Sequence, residues 1–139
     1  PAVSIQPAWQ GTFDFLDGRP IVVEPSESLL SSDAGLLPFR QLDERLGLSR
    51  QFAEVLNDPR NPALVEHSVL QMVRSRTYGI LADYEDQNDH DVLRYDPVFK
   101  MLADRAPGGP ELASQPALSR FENFITPRSL FRLRDVFID

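Results

Sequence analysis

Apolar and polar residues alternate near the start of the chain, on both sides of Asp17-Gly18 in the segment TFDFLDGRPIVVE. Asp-Gly flanked by alternating apolar residues is a strong hairpin signal, because Gly accepts the positive φ that a tight turn requires. Pro20 has no N–H to donate to a strand ladder, so we expect it at the edge of a sheet. The pattern therefore predicts a β-hairpin that needs another element to pack on, since a lone hairpin is marginal in water.

From Ser31 onward, apolar residues recur at helical spacing between clear start and stop signals. A cap residue followed by Pro occurs at Asn61-Pro62, Asp96-Pro97 and Thr126-Pro127, and Pro is favoured in the first helical turn. Gly47 and the segment PGGP are expected to end helices. The predicted helices are SSDAGLLPFRQLDERLG (31–47), a short helix capped by Ser49, a long helix from Pro62 to about Tyr84, PVFKMLADR (97–105), QPALSRFENF capped by Ser114, and PRSLFRLRDVFI (127–138).

These elements predict a mainly α fold, a bundle of about six helices preceded by an N-terminal β-hairpin. Residues 1–10 are expected to form a tail, 11–30 the hairpin and a linker, and 31–139 one helical domain. In the first helix, helical spacing predicts four inward residues, which are Leu36, Phe39, Leu42 and Leu46. In the long helix it predicts six, which are Leu64, Val65, Met72, Val73, Ile80 and Leu81.

Length and composition agree with one globular domain. The chain has 139 residues, no Cys and a net charge of -7. The lack of Cys excludes disulfides, Cys metal sites and a thiol nucleophile, and it fits a reducing cytoplasm. No apolar run has the length of a membrane span, so we expect no membrane partner. Because the chain begins with Pro1 rather than Met, we expect a processed or cut piece of a longer protein.

The charge is distributed unevenly. Six acids and one base, Arg94, lie between Asp83 and Asp96, whereas four Arg and one acid, Glu122, lie between Leu112 and Arg134. An acidic body argues against unspecific coating of nucleic acid, because phosphates repel it. A basic face, if present, is therefore expected near the C-terminal end.

The acidic segment ADYEDQNDHDVLRYD has two possible interpretations. Carboxylates beside His90 could bind a divalent metal or serve in acid–base chemistry. The segment lacks the turn Gly of a calcium loop, and His67 and His90 show no ligand-like spacing. The favoured interpretation is a joint between two helices, with acids at helix N-termini and Arg94 paired to Asp89 or Asp91.

The segment LASQPALSRFEN (112–123) also has two interpretations. It could be a DNA-reading helix held on the domain by Leu118 and Phe121, or a short amphipathic helix that closes a core. Gln suits adenine, Arg suits guanine, and Ser suits phosphate. Residue types alone leave the choice open. The candidate DNA-binding residues on this helix and the next are Gln115, Ser119, Arg120, Arg128, Arg132 and Arg134.

Three segments, in this order and at these separations, resemble the N-terminal region of bacterial insertion-sequence transposases of the DDE superfamily, group-1 type. They are LSSDAGLL, YEDQNDHDVLRYDP and LASQPALSRFEN, and the hairpin segment DFLDGRPIVVE also fits. The resemblance runs from about Phe13 to the end of the chain. It implies a part in DNA transposition in the bacterial cytoplasm, through binding or positioning of the element's DNA ends.

The resemblance also implies where catalysis would lie. Such enzymes cut and join DNA with three acids on an RNase H-like core and with divalent metal ions. The first of these acids is expected beyond Asp139, so no catalytic residue is assigned here. No activity is expected from this chain alone, and no cofactor is expected in it. The acids from Asp83 to Asp96 are not a match, because an RNase H-like site gathers acids from separate elements.

Two departures from the family pattern stand out. Members often have Gly where this chain has Asp83, and Thr where it has Ala117; the second change removes a hydroxyl that could touch phosphate. The long connection APGGPELA also disfavours a compact helix-turn-helix, whose turn has only about three or four residues. The rival hypotheses are a protein-interaction module that packs on the catalytic core or a second subunit, and a decayed transposase remnant.

Overall fold

The computed structural model describes residues 11–23 and 31–138, and the predicted tail and most of the predicted linker lie outside these residues. Within them the fold is mainly helical with an antiparallel two-stranded hairpin in front, which confirms the predicted class. The strands are β1 (Gly11–Phe13) and β2 (Ile21–Val23). The α-helices are α1 (Leu37–Leu46), α2 (Leu48–Glu54), α3 (Val69–Leu81), α4 (His90–Leu93), α5 (Pro97–Leu102), α6 (Gln115–Asn123) and α7 (Pro127–Ile138).

The hairpin forms around Asp17-Gly18, as its alternation predicts. Phe13 pairs with Ile21, and Gly18 has φ 66, the left-handed conformation that Gly adopts without a side-chain clash. Phe15 lies in the connection and is buried, with the guanidinium of Arg40 4.8 Å from its ring centroid. The hairpin therefore packs on α1, which supplies the second layer that it needs.

Two apolar clusters form the core of the described residues. The first lies under the hairpin and joins α1, α3 and α5 through Leu37, Tyr78 and Phe99. The second joins α3, α6 and α7 through residues that include Met72 and Leu118. Because α3 contributes to both clusters, it is the central helix of the domain.

The predicted inward face of α1 is wrong. Leu36 is buried, but Phe39, Leu42 and Leu46 are each 52% exposed. The helix is turned so that Arg40 and Asp43 face the interior, where Arg74 and Tyr78 of α3 meet them. An interior ion and hydrogen-bond network therefore displaces the apolar stripe to the surface.

The long predicted helix begins later than expected. Asn61 and Pro62 start only one 3-10 turn, and Val65 is extended, so α3 begins at Val69. Ser68 and Gln71 cap that start reciprocally, which satisfies two N–H groups at the helix terminus. Of the six residues predicted inward, Met72 and Val73 are buried, whereas Leu64, Ile80 and Leu81 are more than half exposed.

The start of α5 agrees with the sequence prediction, and the start of α2 does not. Asp96 accepts hydrogen bonds from the N–H groups of Val98 and Phe99, which confirms the predicted cap of α5. Ser49 does not cap α2 but lies inside it, and its N–H donates to Asp43 at 2.8 Å. A side chain six residues upstream therefore supplies the acceptor.

Asp83 follows α3 with φ 72, a conformation that favours Gly. This backbone geometry gives a physical reason for the Gly that the resembled family often has at this position.

Candidate nucleic-acid interface

Helix α6 is held on the domain by one apolar face. Leu118 is fully buried and Phe121 nearly so, as their spacing of three predicts. Ser114 has the extended backbone of a cap residue, but its side chain makes no capping hydrogen bond. Instead, the carboxylate of Asp91 accepts a hydrogen bond from the N–H of Gln115 at 3.1 Å. The acidic segment therefore caps this helix from another part of the chain.

The α6 candidates lie on different sides of the helix. Gln115 and Ser119, four residues apart, are half-buried, and Gln115 faces the acidic segment through its backbone. Arg120 is exposed and lines a groove on the other side of the helix. The structure therefore does not bring Gln115, Ser119 and Arg120 together on one reading face.

The α7 candidates are all exposed. Helix α7 begins three residues after α6, and Thr126 caps it by accepting from the N–H of Ser129. Arg128 projects from the first turn. Arg132 lines a shallow cleft against α2, and Arg134 pairs with Asp135 at 3.0 Å. Helix α7 therefore carries three exposed guanidinium groups, and that of Arg134 is paired with Asp135.

We call the depression beside Arg120 the α6 groove. It has a volume of about 470 Å³ and lies between α6 and the segment from Arg60 to His67. Its floor contains Met72, Phe121 and Phe124. The polar and charged side chains that line it are Arg60, Glu66, His67, Arg94, Ser114 and Arg120.

The cations of the groove come from three separate segments. Arg60 is held by Asp58 through two hydrogen bonds and donates a third to the carbonyl of His67. Its guanidinium lies 5.9 Å from the ring centroid of Phe124. Arg94 donates to the carbonyl of Leu112 at 3.1 Å, and its Nη2 lies 3.7 Å from Glu111, so the predicted pairing with Asp89 or Asp91 is wrong.

His67 reports the local electrostatic environment of the groove. Its pKa is lowered first by burial, and then by the charges of Arg105 and Arg94, against the opposing charges of Glu66 and Glu111. Arg105 places Nη2 3.1 Å from Nδ1 of this imidazole. The net shift shows that burial and the nearby cations outweigh the two acids at this position.

Sequence reasoning missed Arg60, His67 and Arg94 as partners of Arg120. Arg60 lies in the breaker segment NDPRNP, and Arg94 lies in the acidic stretch, so neither appears basic from its neighbours. Sequence spacing could not have predicted that these residues lie near Arg120, because the groove forms only when the segment 60–67 packs beside α6.

The segments that carry the family resemblance support one another directly. Ser31 donates to the carboxylate of Asp96 at 3.0 Å, and Tyr84 donates to Asp33 at 3.1 Å. In the third segment, Glu122 pairs with Arg76 of α3 at 2.6 Å. In each of the three segments, at least one polar residue therefore contacts a residue in another part of the chain.

Arg76 connects α6 to the acidic segment. Besides Glu122, it reaches the carbonyl of Glu85 at 3.3 Å and Nε2 of His90 at 3.4 Å. His90 is buried, and burial followed by the charge of Arg76 lowers its pKa to about 4. Neutral His90 is thus a packing residue between α3 and α4. Among the described residues, no three His, Asp or Glu side chains are placed to hold a metal ion.

The most buried charges lie outside the groove. Arg40 and Arg74 both bond to Asp104, and Glu44 pairs with Arg40 at 2.8 Å. Burial alone would lower the pKa of Arg40, but hydrogen bonds and charges from Glu44 and Asp104 outweigh it and raise the pKa. Burial and the charge of Arg40 lower the pKa of Arg74, whose Nη2 makes no hydrogen bond. This network is structural, since α1, α3 and the end of α5 meet there.

None of the helices in residues 11–23 and 31–138 is long and apolar enough to cross a membrane.

The sequence model of the family described as transposase DDE domain, group 1, matches residues 13–139. No curated protein and no solved structure is significantly similar to the chain.

Proposed function

This chain belongs to the family of transposase DDE domains, group 1. From that premise we propose that it takes part in DNA transposition by binding or positioning the DNA ends of the mobile element. The observation that carries the proposal is that α6 and α7 carry four exposed arginines, Arg120, Arg128, Arg132 and Arg134, in a chain whose net charge is -7. From the resemblance to bacterial insertion-sequence transposases, we infer that this role takes place in the cytoplasm, where bacterial DNA lies.

The contacts expected from these arginines are with phosphates. Arg120, Arg128 and Arg132 are exposed and have no ion-pair partner among the described residues. Their guanidinium groups can therefore pair with a phosphate at the protein surface. Arg134 must first leave Asp135. Phosphate contacts position a protein on DNA without reading its sequence. Gln115 and Ser119 remain candidates for contacts with base edges, although their half-burial limits their reach.

The proposed role needs no metal ion on the residues named, and it assigns no catalytic acid to them. Divalent metal would serve the cutting and joining chemistry of the transposase, for which the described residues offer no cluster of ligands.

Fluorescence anisotropy tests the proposal. We would compare labelled duplex from the ends flanking the gene with a scrambled duplex, at two salt concentrations. Replacing Arg120 and Arg128 with Ala should weaken binding and reduce the slope of log affinity against log salt by about 2, roughly 1 for each phosphate that the variant no longer neutralises. The matched control replaces Arg19 and Arg45, two exposed arginines away from α6 and α7. Equal affinity in both double variants would contradict the proposal.

A second candidate function is supported by the exposed apolar side chains. On α1 they are Phe39, Leu42 and Leu46, and on α7 they are Leu130, Phe131, Phe137 and Ile138. Apolar surface of this kind often marks a protein interface. We infer that the chain would then pack against the remainder of the transposase or a second subunit. Light scattering separates the two candidates, because a tight dimer that is indifferent to DNA supports packing.

A further inference from the structure

We propose that the α6 groove binds a short unpaired stretch of nucleic-acid strand, rather than a double helix. This inference rests on the proposed function, because it names the form of DNA that this surface accepts. It adds Arg60 and Arg94 to the residues that contact DNA, and it assigns Arg120 to unpaired strand and the α7 arginines to duplex. If it holds, replacing Arg120 and Arg128 together should lower the salt slope for duplex by about 1, the contribution of Arg128, rather than by about 2.

The size of the groove decides between the two forms of DNA. A volume of about 470 Å³ lies within the range of pockets that enclose a drug-sized molecule, which is about the size of a single nucleotide. Duplex DNA is read by elements that project into its grooves, and its major groove is about 12 Å wide. A depression of this volume can enclose one unpaired nucleotide with its phosphates, but it cannot enclose a base pair of a duplex, so its size favours the unpaired strand.

The charges around the groove suit a phosphodiester backbone. Arg120 lies on one side and has no ion-pair partner among the described residues, so its charge is available to a phosphate. Arg60 is paired with Asp58, Arg94 lies 3.7 Å from Glu111, and Glu66 also lines the groove, so these two arginines would contribute hydrogen-bond donors more than net charge. The hydroxyl of Ser114 makes no capping hydrogen bond, so it is free to donate to a phosphate oxygen.

The groove also offers a flat surface for a base. The guanidinium of Arg60 lies over the ring of Phe124, which in turn packs edge-on against Phe121 at 5.4 Å between centroids. Two hydrogen bonds from Arg60 to Asp58 hold that guanidinium in place. Unpaired bases stack on aromatic rings and on guanidinium planes, and single-strand sites combine such surfaces with a cationic groove. Ala117, which also lines the groove, adds no bulk there.

The test compares strand forms at equal length. Fluorescence anisotropy would measure binding of the chain to labelled ten-nucleotide oligothymidylate and to a blunt ten-base-pair duplex of mixed sequence. We expect the single strand to bind at least tenfold tighter at the same salt concentration. Equal or tighter binding of the duplex would overturn the inference.

Three variants locate the site. Arg120→Gln should lower single-strand affinity about threefold to tenfold, while Arg45→Gln, the same change on exposed α1 surface, should leave it unchanged. Arg60→Lys keeps the charge but removes the planar group, so it should weaken the single strand more than the duplex. Phe124→Leu keeps an apolar side chain and should have the same effect, with the melting temperature checked beside it.

The outcomes separate this inference from the proposed function. If Arg120→Gln and Arg60→Lys leave single-strand affinity unchanged while Arg128→Ala weakens duplex binding, the groove inference is wrong and the proposed function stands. If neither DNA form binds at low salt, both are wrong. Selective loss of single-strand affinity in the groove variants supports both.

Discussion

The carboxylate of Asp91 accepts a hydrogen bond from the backbone N–H of Gln115, 24 residues further along the chain. This bond shows what the acidic segment does at that point: one of its carboxylates lies at the N-terminus of α6, where the helix dipole favours negative charge. Ser114 occupies the cap position by backbone geometry alone. Two of the segments that carry the family resemblance are thus joined at the start of the helix that carries Arg120.

This relationship gives the first stability prediction. Asp91→Ala should lower the free energy of unfolding by about 1 kcal/mol, the typical cost of losing a capping side chain. Ser114→Ala should change it by only a few tenths of a kcal/mol, because that hydroxyl caps nothing in the free protein. Urea denaturation of both variants checks the pair. A larger loss for Ser114→Ala than for Asp91→Ala would show that the cap is assigned to the wrong residue.

The starts of α5 and α7 and the fold class could be predicted from the sequence because those signals are local, whereas the start of α3 was predicted wrongly at Asn61-Pro62. Asp96-Pro97 and Thr126-Pro127 begin helices where a cap and a Pro satisfy the first turn by themselves. The cap of α6 could not be predicted, since its acceptor comes from Asp91. The same holds for the α6 groove, which exists only after the segment near Arg60 packs beside α6.

Helical periodicity failed on α1 for a physical reason. Spacing identifies an apolar stripe, but it cannot show that Arg40 finds Asp104 and the carbonyl of Leu102 inside the domain. A buried guanidinium with these partners makes enough hydrogen bonds to replace an apolar residue, and Leu42 and Leu46 then lie on the outer side of the helix. The roles of the six candidate DNA-binding residues stay predictions, because they depend on a partner.

The orientation of α1 can be tested by one matched pair of substitutions. Leu37→Ser should cost about 3 kcal/mol or more, because it removes a fully buried side chain and buries a hydroxyl. Leu42→Ser should cost less than about 1 kcal/mol, because half of that side chain is already in water. Chemical denaturation measures both. Similar large losses would mean that the apolar stripe of α1 is core after all.

Light scattering of Leu42→Ser tests whether the exposed apolar side chains of α1 form a protein interface. If the stripe serves as an interface, the variant should shift an associated state toward monomer while the fold is retained, as judged by circular dichroism. Arg45→Ser on the same helix is the control for a change of surface polarity. An unchanged mass at all concentrations would remove α1 from the proposed packing surface.

Asp104 should be far more important to stability than its position in a loop suggests. Its two carboxylate oxygens bond to Arg40 and Arg74, so Asp104→Asn leaves two buried guanidiniums short of one negative charge. We expect a loss of about 1–2 kcal/mol in the free energy of unfolding, less than for a fully buried pair because 35% of the Asp104 side chain is exposed. Asn tolerates the left-handed backbone at this position, where φ is 63, so backbone strain does not confound the result.

Asp83→Asn is the matched control for that variant. Like Asp104, Asp83 is exposed and has a positive φ, 72, but it forms no ion pair with the described residues. Its substitution should change stability by less than about 0.5 kcal/mol. Comparable losses at Asp83 and Asp104 would argue that the effect comes from the backbone and not from the buried charges.

The pH dependence of stability should depend on His90. The pKa of this buried imidazole is lowered to about 4, first by burial and then by the charge of Arg76, against the opposing charges of Asp89, Glu122 and Asp91. Unfolding restores a value near 6.5. Between these values the unfolded chain binds a proton that the folded chain does not. The free energy of unfolding should therefore fall as pH falls from about 6.5 to 4.

Proton NMR of the imidazole signals measures the titration directly. His90 should titrate near pH 4, and its protonation should coincide with loss of native signals, because a charged ring would face Arg76 at 3.4 Å. Urea denaturation of His90→Gln supplies the stability measurement. The difference between the parent and this variant should shrink as pH falls from 6.5 to 4, because Gln binds no proton in either state. A His90 midpoint near 6.5 in the folded chain would contradict the buried, neutral role assigned to this residue.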